Sequence, residues 1–192
     1  MIYLLRHGQT VFNAEGRLQG HVDSPLTELG VAQARRMGEA LKSLVSETEG
    51  WRILSSPLGR ARATADLVSE VLGWGEVEVE DRLKELTAGR WDGMLRTDIQ
   101  KEHPEAFSTS GWDFRAPGAE TFEAVADRMA EWLGTLHADC RIIAISHGIS
   151  GRVLRGVYAG LSRDVALAQP VPQDAFFRLS AGAIERVDCA PL

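Results

Sequence analysis

Cysteine is scarce: only Cys140 and Cys189 occur in 192 residues, with neither CxxC nor zinc-ligand spacing. That excludes a disulfide-framed scaffold, and reduced structural thiols suited to a cytoplasmic location are expected. Basic charge is in deficit, with 21 Lys and Arg against 27 Asp and Glu and a formal net charge of −6. Nucleic acid and membrane surfaces, which both select a basic face, are not expected as partners. Long apolar runs are missing too. No stretch nears the roughly 20 residues of a membrane span. Arg6 interrupts the amino-terminal run before it can form the core of a signal peptide. His21, His103 and His137 have no spacing suited to a metal, so no metal ligand is assigned. Repeats, linkers and low-complexity segments are also absent. The remaining composition, 44% hydrophobic and 25% charged, is that of an ordinary soluble domain. One domain over residues 1–192 is expected, large enough to bury its apolar surface without staples.

What is present begins at the amino terminus. Ile2-Tyr3-Leu4-Leu5 runs straight into Arg6-His7-Gly8. A short unbroken apolar run closed by glycine reads as a strand buried on both faces, as in parallel sheets. The construction returns as Ile142-Ile143-Ala144-Ile145-Ser146-His147-Gly148. Open α/β sheets place their ligands at the carboxyl ends of the strands. Two strands ending in His-Gly would therefore set two imidazoles side by side there.

Taken in order, residues 11–26 are polar and glycine-punctuated and read as a loop over the end of the first strand. Thr27 suits the N-cap of a helix whose apolar face is Met37, Ala40, Leu41 and Leu44, with Gly50 ending the stretch. Trp51–Leu54 is the next short strand. Ser56-Pro57 offers an N-cap and first position for a helix near 58–72, buried through Leu67, Val71 and Leu72 and stopped by Gly73. Strict alternation over 76–80 predicts a half-exposed edge strand. From Asp81 to Gly118 the periodicity weakens, which suggests a small cap excursion over the sheet. Phe122, Val125, Ala126, Met129, Trp132, Leu133 and Leu136 then form one helical stripe. The 142–145 strand, a helix near 149–160 and strands at 175–179 and 183–187 around Ala181-Gly182 close the chain. The alternation predicts an α/β fold: a three-layer sandwich whose central sheet is largely parallel, with a hairpin at one edge.

If the strands at 2–5, 51–54 and 142–145 are parallel, Arg6, His7, the Ser55-Ser56 turn, Ser146 and His147 converge on one edge. Arg60 falls in the first turn of the following helix, whose backbone N–H groups add positive potential. Arg62, two residues on, points to a different face and reads as a solvated charge. Two arginines, two histidines and a helix amino terminus suit a compact dianion. Phosphate is the natural candidate, because guanidinium groups grip its oxygens in bidentate fashion.

An ordered set of motifs now spans nearly the whole chain. It comprises Leu5-Arg6-His7-Gly8-Gln9-Thr10 with Asn13, Gln19-Gly20, and Pro25-Leu26-Thr27-Glu28-Leu29-Gly30. Ser55-Ser56-Pro57-Leu58-Gly59-Arg60-Ala61 with Thr64, Leu83-Lys84-Glu85, and Gly89-Arg90-Trp91-Asp92-Gly93 follow. Pro117-Gly118-Ala119-Glu120-Thr121 and Ser146-His147-Gly148 complete it. The set closely resembles the signature of the histidine phosphatase superfamily, also called phosphoglycerate-mutase-like.

The resemblance implies a nucleophilic His7, a phosphate pocket of Arg6, Arg60 and protonated His147, and a proton donor at Glu85, with Glu120 the second choice. Asn13, Gln19, Gly20 and Gly148 are carried over as further substrate-binding positions. No cofactor and no metal are implied, since the arginines supply the positive charge. The expected partner is a small phosphorylated metabolite, and a homodimer is compatible with the resemblance. The family divides between phosphatases and mutases. A phosphatase is favoured because the cap between Glu85 and Glu120 is compact and supplies only Arg90, Arg96, Lys101 and Arg115 to hold a second anionic group. A non-catalytic phospholigand-binding module is the third reading, disfavoured by intact His7 and Glu85.

Overall fold

The computed structural model describes residues 1–45, 50–108 and 111–191. Six strands form one sheet: β1 (Ile2–Arg6), β2 (Trp51–Ser55), β3 (Val77–Val79), β4 (Arg141–Ser146), β5 (Ala175–Ser180) and β6 (Ala183–Asp188). Their order is β3-β2-β4-β1-β5-β6, with β1 through β4 parallel and the β5–β6 hairpin antiparallel. Among the described residues seven α-helices accompany them: α1 (Val11–Glu15), α2 (Glu28–Leu44), α3 (Gly59–Leu72), α4 (Arg96–Glu102), α5 (Phe122–Gly134), α6 (Gly148–Ala159) and α7 (Arg163–Ala168). None of the described helices is long and apolar enough to cross a membrane.

The near-continuous apolar strands have the consequence expected of them. Ile2 and Leu4 face one core with Leu54, Ile142, Ala144 and the buried sides of α5 and α6. Tyr3 and Leu5 face the other, with Ile53, Ile143, Ile145 and residues of α2 and α3. Each residue of 2–5 is 1–3% exposed, and burying each such side chain is worth about 1.5–3 kcal/mol. The sheet is thus the middle of three layers. Register places Arg6 beside Ser146 and Ser55 beside Ile145, so the three central strands end level.

Several local expectations are corrected. Residues 11–26 include α1, whose single turn is too short to show periodicity. It forms through a capping box in which Thr10 and Asn13 satisfy each other's backbone N–H groups. The α7 turn went unread for the same reason. Helix α2 starts on Thr27 but stops at Leu44, which is exposed, so Gly50 does not end it. The buried stripe of α3 is Ala61, Thr64, Ala65 and Val68, while Leu67, Val71 and Leu72 sit at its margin. Leu58, not Ser56, occupies the N-cap position of α3, and its side chain caps nothing. Helix α5 ends at Gly134, short of Leu136. In the edge strand β3, Val79 is largely exposed, and Glu78 instead pairs with Arg52 of β2. The 81–118 excursion holds α4 and several 3-10 turns around a small cluster of its own: Ala88, Trp91, Ile99, Ala106 and Ala116.

One close approach fixes the loop that leaves β1. A Cβ on Gly8 would lie 2.2 Å from the carbonyl oxygen of Gly30, and one on Gly30 would lie 2.0 Å from that of Gln9. Thr27 N donates to Gln9 O at 2.9 Å, tying the start of α2 to the same loop. The two glycines therefore let the loop carrying His7 lie flat on α2. Gly30→Ala should cost about 1–3 kcal/mol through forced backbone displacement and lower activity by shifting His7. Gly134→Ala, where a Cβ meets nothing within 4 Å, is the control. Equal melting temperatures for the two variants in thermal unfolding would refute this packing.

Candidate active site

At the carboxyl ends of the parallel strands lies a cavity of about 430 Å³. Arg6 and His7 leave β1 at its floor, with His7 N donating to Ser146 O across the β1–β4 pair at 3.1 Å. The His7 ring is 2% exposed. Its Nδ1 lies 2.8 Å from Gly8 O, a partner that can only accept. Nδ1 therefore carries the hydrogen, and Nε2 keeps its lone pair. Burial, together with the charges of Arg6 and Arg60, holds the proton affinity of His7 well below the ordinary histidine value. It is a neutral imidazole.

Arg60 is 2% exposed, with a partner at each side-chain nitrogen. Its Nη2 donates to Gly20 O at 2.7 Å, and Nη1 donates to Val22 O at 3.1 Å and to Asp23 Oδ1 at 3.0 Å. Nε points at His7 Nε2 across 3.3 Å. Asp23 also accepts from the backbone N–H groups of Gly59 and Arg60. A carboxylate from a distant loop therefore caps α3 and anchors its arginine at once. That corrects the expectation that the N–H groups of this helix turn toward the ligand. Gly20, with φ of 51°, lets the loop approach closely: a Cβ there would lie 1.7 Å from Asp92 Oδ1. Arg62 is exposed and belongs to another face, as expected.

Glu85 lines the same cavity near Arg6: a Cβ on Gly148 would lie 3.7 Å from Arg6 Nε and 3.9 Å from Glu85 Oε2. Its carboxylate accepts from Ile149 N at 3.1 Å and Ser150 N at 2.8 Å at the start of α6, and from Leu86 N at 3.1 Å. The backbone before it is gripped by Arg128, which donates to Arg82 O at 2.6 Å and Lys84 O at 2.8 Å. Glu120 is spent elsewhere. It pairs with Arg128 at 3.4 Å, accepts from Thr87 N, and is not on the cavity wall.

The structure brings Arg6, His7, Asn13, Gln19, Gly20, Arg60, Glu85 and Gly148 onto one cavity wall. His147 stands behind it. Its ring centroid is 5.2 Å from that of His7, and its Nε2 lies 2.7 Å from Ser56 Oγ. Burial and the nearby Arg60 charge push its proton affinity well down as well. The expected protonated imidazole is therefore a neutral one here.

Residues the sequence did not single out, Arg152 and Gln173 among them, help to complete the cavity. Three arginines hold three successive carbonyls of the loop before β5: Arg152 Nε on Gln169 O at 2.6 Å, Arg155 Nη2 on Pro170 O at 2.7 Å, and Arg6 Nη1 on Val171 O at 2.7 Å. That loop delivers Gln173, whose Nε2 donates to His7 O at 3.0 Å. The signal for Gln173 was available, since an antiparallel strand beside β1 must begin where the parallel strands end. Asp23 gave no local signal, because the helix it caps lies 36 residues away. On the outer wall Arg96, Trp112, Asp113 and Arg152 face the cavity. Burial raises the Asp113 carboxyl to about 6, against the opposing pull of Arg96 and Arg152. Of the four basic residues expected from the excursion, only Arg96 reaches the cavity. Cys140 and Cys189 are free thiols. Among the described residues no three of His, Cys, Asp and Glu gather as a metal-binding group.

Comparison with known proteins agrees with this arrangement. The chain is 33% identical over 199 aligned residues to a probable phosphoglycerate mutase, GpmB, of Salmonella paratyphi C, covering 97% of this chain and 84% of that one. Among solved structures it resembles YhfR of Bacillus stearothermophilus, with a TM-score of 0.80 and 28% identity over 97% of this chain and 95% of that one. It also resembles a mycobacterial glucosyl-3-phosphoglycerate phosphatase solved with VO3, at a TM-score of 0.78 and 28% identity over 92% and 90%. The family model of the histidine phosphatase superfamily, branch 1, matches residues 2–176. With that match over nearly its whole length, the chain belongs to the histidine phosphatase superfamily.

Proposed function

We propose that the chain is a phosphomonoester hydrolase that works through a phosphohistidine on His7, with a small phosphorylated metabolite as substrate. One observation carries this reading: His7 is held neutral, Nδ1–H on Gly8 O, with Nε2 turned toward the buried Arg60 guanidinium and Arg6 beside it on the same cavity wall. A neutral imidazole with a free lone pair is a nucleophile, and the guanidinium groups are what a phosphate dianion needs. The Nε2 lone pair attacks phosphorus, replacing the long contact to Arg60 Nε, while the phosphorus–oxygen ester bond breaks. Protonated Glu85 gives its proton to the leaving oxygen. Arg6 and Arg60 stabilise the non-bridging oxygens. Water then attacks the phosphohistidine, passes a proton to the Glu85 carboxylate, and returns the phosphorus–nitrogen electron pair to Nε2. The relative solved with VO3 and named a phosphatase supports the choice.

A mutase-type transfer to a second hydroxyl is the other reading. Arg96 and Arg152 on the outer wall favour it, since they could hold a second anionic group, as does the name of the probable mutase. The two readings divide at the second step. Rapid quench with a labelled ester should show acid-labile phosphate on His7 that disappears in His7→Ala. Release of that phosphate to water without a bisphosphate primer supports the hydrolase; transfer to an added hydroxyl that depends on the primer makes it a mutase.

Arg60→Ala should lower kcat on the order of 10²–10³, as when one preorganised donor is removed, whereas Arg62→Ala should do far less. Similar losses would place the wrong arginine in the pocket. Glu85→Gln should slow adduct formation with an alkyl ester more than with an aryl phosphate, whose phenolate leaves unaided. Activity should survive excess EDTA, because side chains supply the positive charge. Loss on chelation with rescue by a divalent ion would overturn that.

The neutral histidines also predict a pH dependence of stability. Both take up a proton less readily when folded than the ordinary value of about 6.5. Below that pH the unfolded chain binds protons that the folded one refuses, so stability falls as pH falls. Melting temperature should therefore drop between pH 7 and 5, and less steeply in His147→Asn. Parallel curves for the two proteins would refute the assignment.

A further inference from the structure

Beneath the active-site floor a second, much smaller chamber of about 20 Å³ lies between β1, α6 and the 169–173 loop. Arg6, His147, Gly151, Arg155, Val171 and Pro172 are among its walls. Among the described residues four buried side-chain nitrogens have no hydrogen-bond partner: Arg6 Nε, His147 Nδ1, Arg155 Nη1 and Arg128 Nε. Three of the four belong to walls of this one chamber. The fourth, Arg128 Nε, lies 3.4 Å from Glu120. His147 and Arg155 are each 2% exposed, so bulk solvent does not satisfy them. Gly151 is buried, yet a Cβ built on it meets nothing within 4 Å. The helix thus turns a bare backbone toward open space in an otherwise packed wall.

A buried polar atom left without a partner is costly, so three on the residues around one chamber call for a shared partner. A buried water needs roughly 10–15 Å³ and two to four polar partners, and it typically makes about three hydrogen bonds. The chamber has the volume, and the residues that line it carry three orphaned nitrogens to serve as partners. The guanidinium atoms Arg6 Nε and Arg155 Nη1 can only donate. A water accepting from both has used its two lone pairs, so it must donate to His147 Nδ1. We propose that this chamber is a binding site for one structural water, which holds His147 in the tautomer that carries its hydrogen on Nε2.

The tautomer has a consequence for the site above. With Nδ1 accepting from the water, Nε2–H donates to Ser56 Oγ at 2.7 Å. The same hydrogen is available to an oxygen of a transferring group without His147 ever being protonated. That last consequence rests on the phosphoryl-transfer reading; the water site and the tautomer do not. Arg155 is then a positioning residue. It is anchored on Gly151 O at 3.2 Å and Pro170 O at 2.7 Å and stacked 3.7 Å from the centre of the Phe177 ring, and it acts on His147 through the water.

The test reads the ring directly. Two-bond 15N–1H correlation spectra of the labelled protein, with His147→Asn for assignment, should show a protonated Nε2 and an accepting Nδ1 on His147. Gly151→Ala, which has room for its methyl group in the chamber, should displace the water and collapse that pattern toward mixed tautomers. Its kcat should fall about tenfold, by analogy with losing an outer partner that orients a site histidine. Arg155→Lys, which keeps the charge, should retain more of the tautomer preference than Arg155→Met. A Nδ1–H tautomer in the unmodified protein would overturn the proposal. So would unchanged His147 signals in Gly151→Ala, which would mean a dry void. Crystals soaked in bromide give the remaining arm: an anomalous peak in the chamber would make it an anion site and overturn the water, whereas a water-sized peak without anomalous signal supports it. None of these ring or density readouts depends on whether the enzyme hydrolyses or transfers phosphate.

Discussion

Burying positive charge next to a neutral imidazole is the constraint on which the rest of this site depends. Guanidinium groups lose much of their hydration when enclosed, and removing one partner of a buried charge leaves a penalty of several kcal/mol. Arg60 avoids it with two carbonyls and one carboxylate; Arg6 has one carbonyl and the nearby charge of Glu85. The compensation is incomplete, and under the proposed function a phosphate dianion would complete it. Burial, reinforced by the same field, lowers the proton affinity of both histidines. Under the proposed reaction, nucleophile and anion pocket are therefore one electrostatic arrangement. The fold supplies it cheaply, because strands ending level bring the charged residues together without distortion.

How much of this could be read from residues alone depends on how local each cause is. The two-sided strands were legible, since Ile2 through Leu5 and Ile142 through Ile145 leave no polar face to argue about. So were Thr27 as an N-cap, Gly73 as a helix stop and the convergence of Arg6, His7 and Arg60. The brief helices α1 and α7 were not, because one or two turns carry too little periodicity. Ser56-Pro57 misled for a different reason. The sequence offered a good local cap, yet Asp23 reached the same N–H groups from another loop, and tertiary hydrogen bonding overrode it. His147 shows the same limit. Its place on the right strand end was legible, but its ring stands behind His7 because Ser56 holds it there.

The cavity divides by origin. Its inner wall comes from the ends of the parallel strands and the loops directly after them, where position is set by the sheet. Its outer wall comes from the excursion and the exposed side of α6, through Arg96, Trp112, Asp113 and Arg152. On the proposed reading, the inner part would meet the group common to all phosphate esters, and the outer part whatever differs between them. A relative named for a sugar-phosphoglycerate ester and another named as a mutase can share the first while differing in the second.

The loop before β5 is held in an unusual way for a segment that delivers a side chain to an active site. Pro170 and Pro172 offer no N–H, and three arginines take the carbonyls of residues 169, 170 and 171. Recognition of this loop therefore ignores what side chains it carries and counts only how many peptide units it contains. Substitutions along 170–172 that keep the backbone path leave Gln173 where it is. A single inserted or deleted residue, by contrast, would put every carbonyl out of step with its arginine and swing Gln173 away from His7. The segment is free to vary in composition and bound in length.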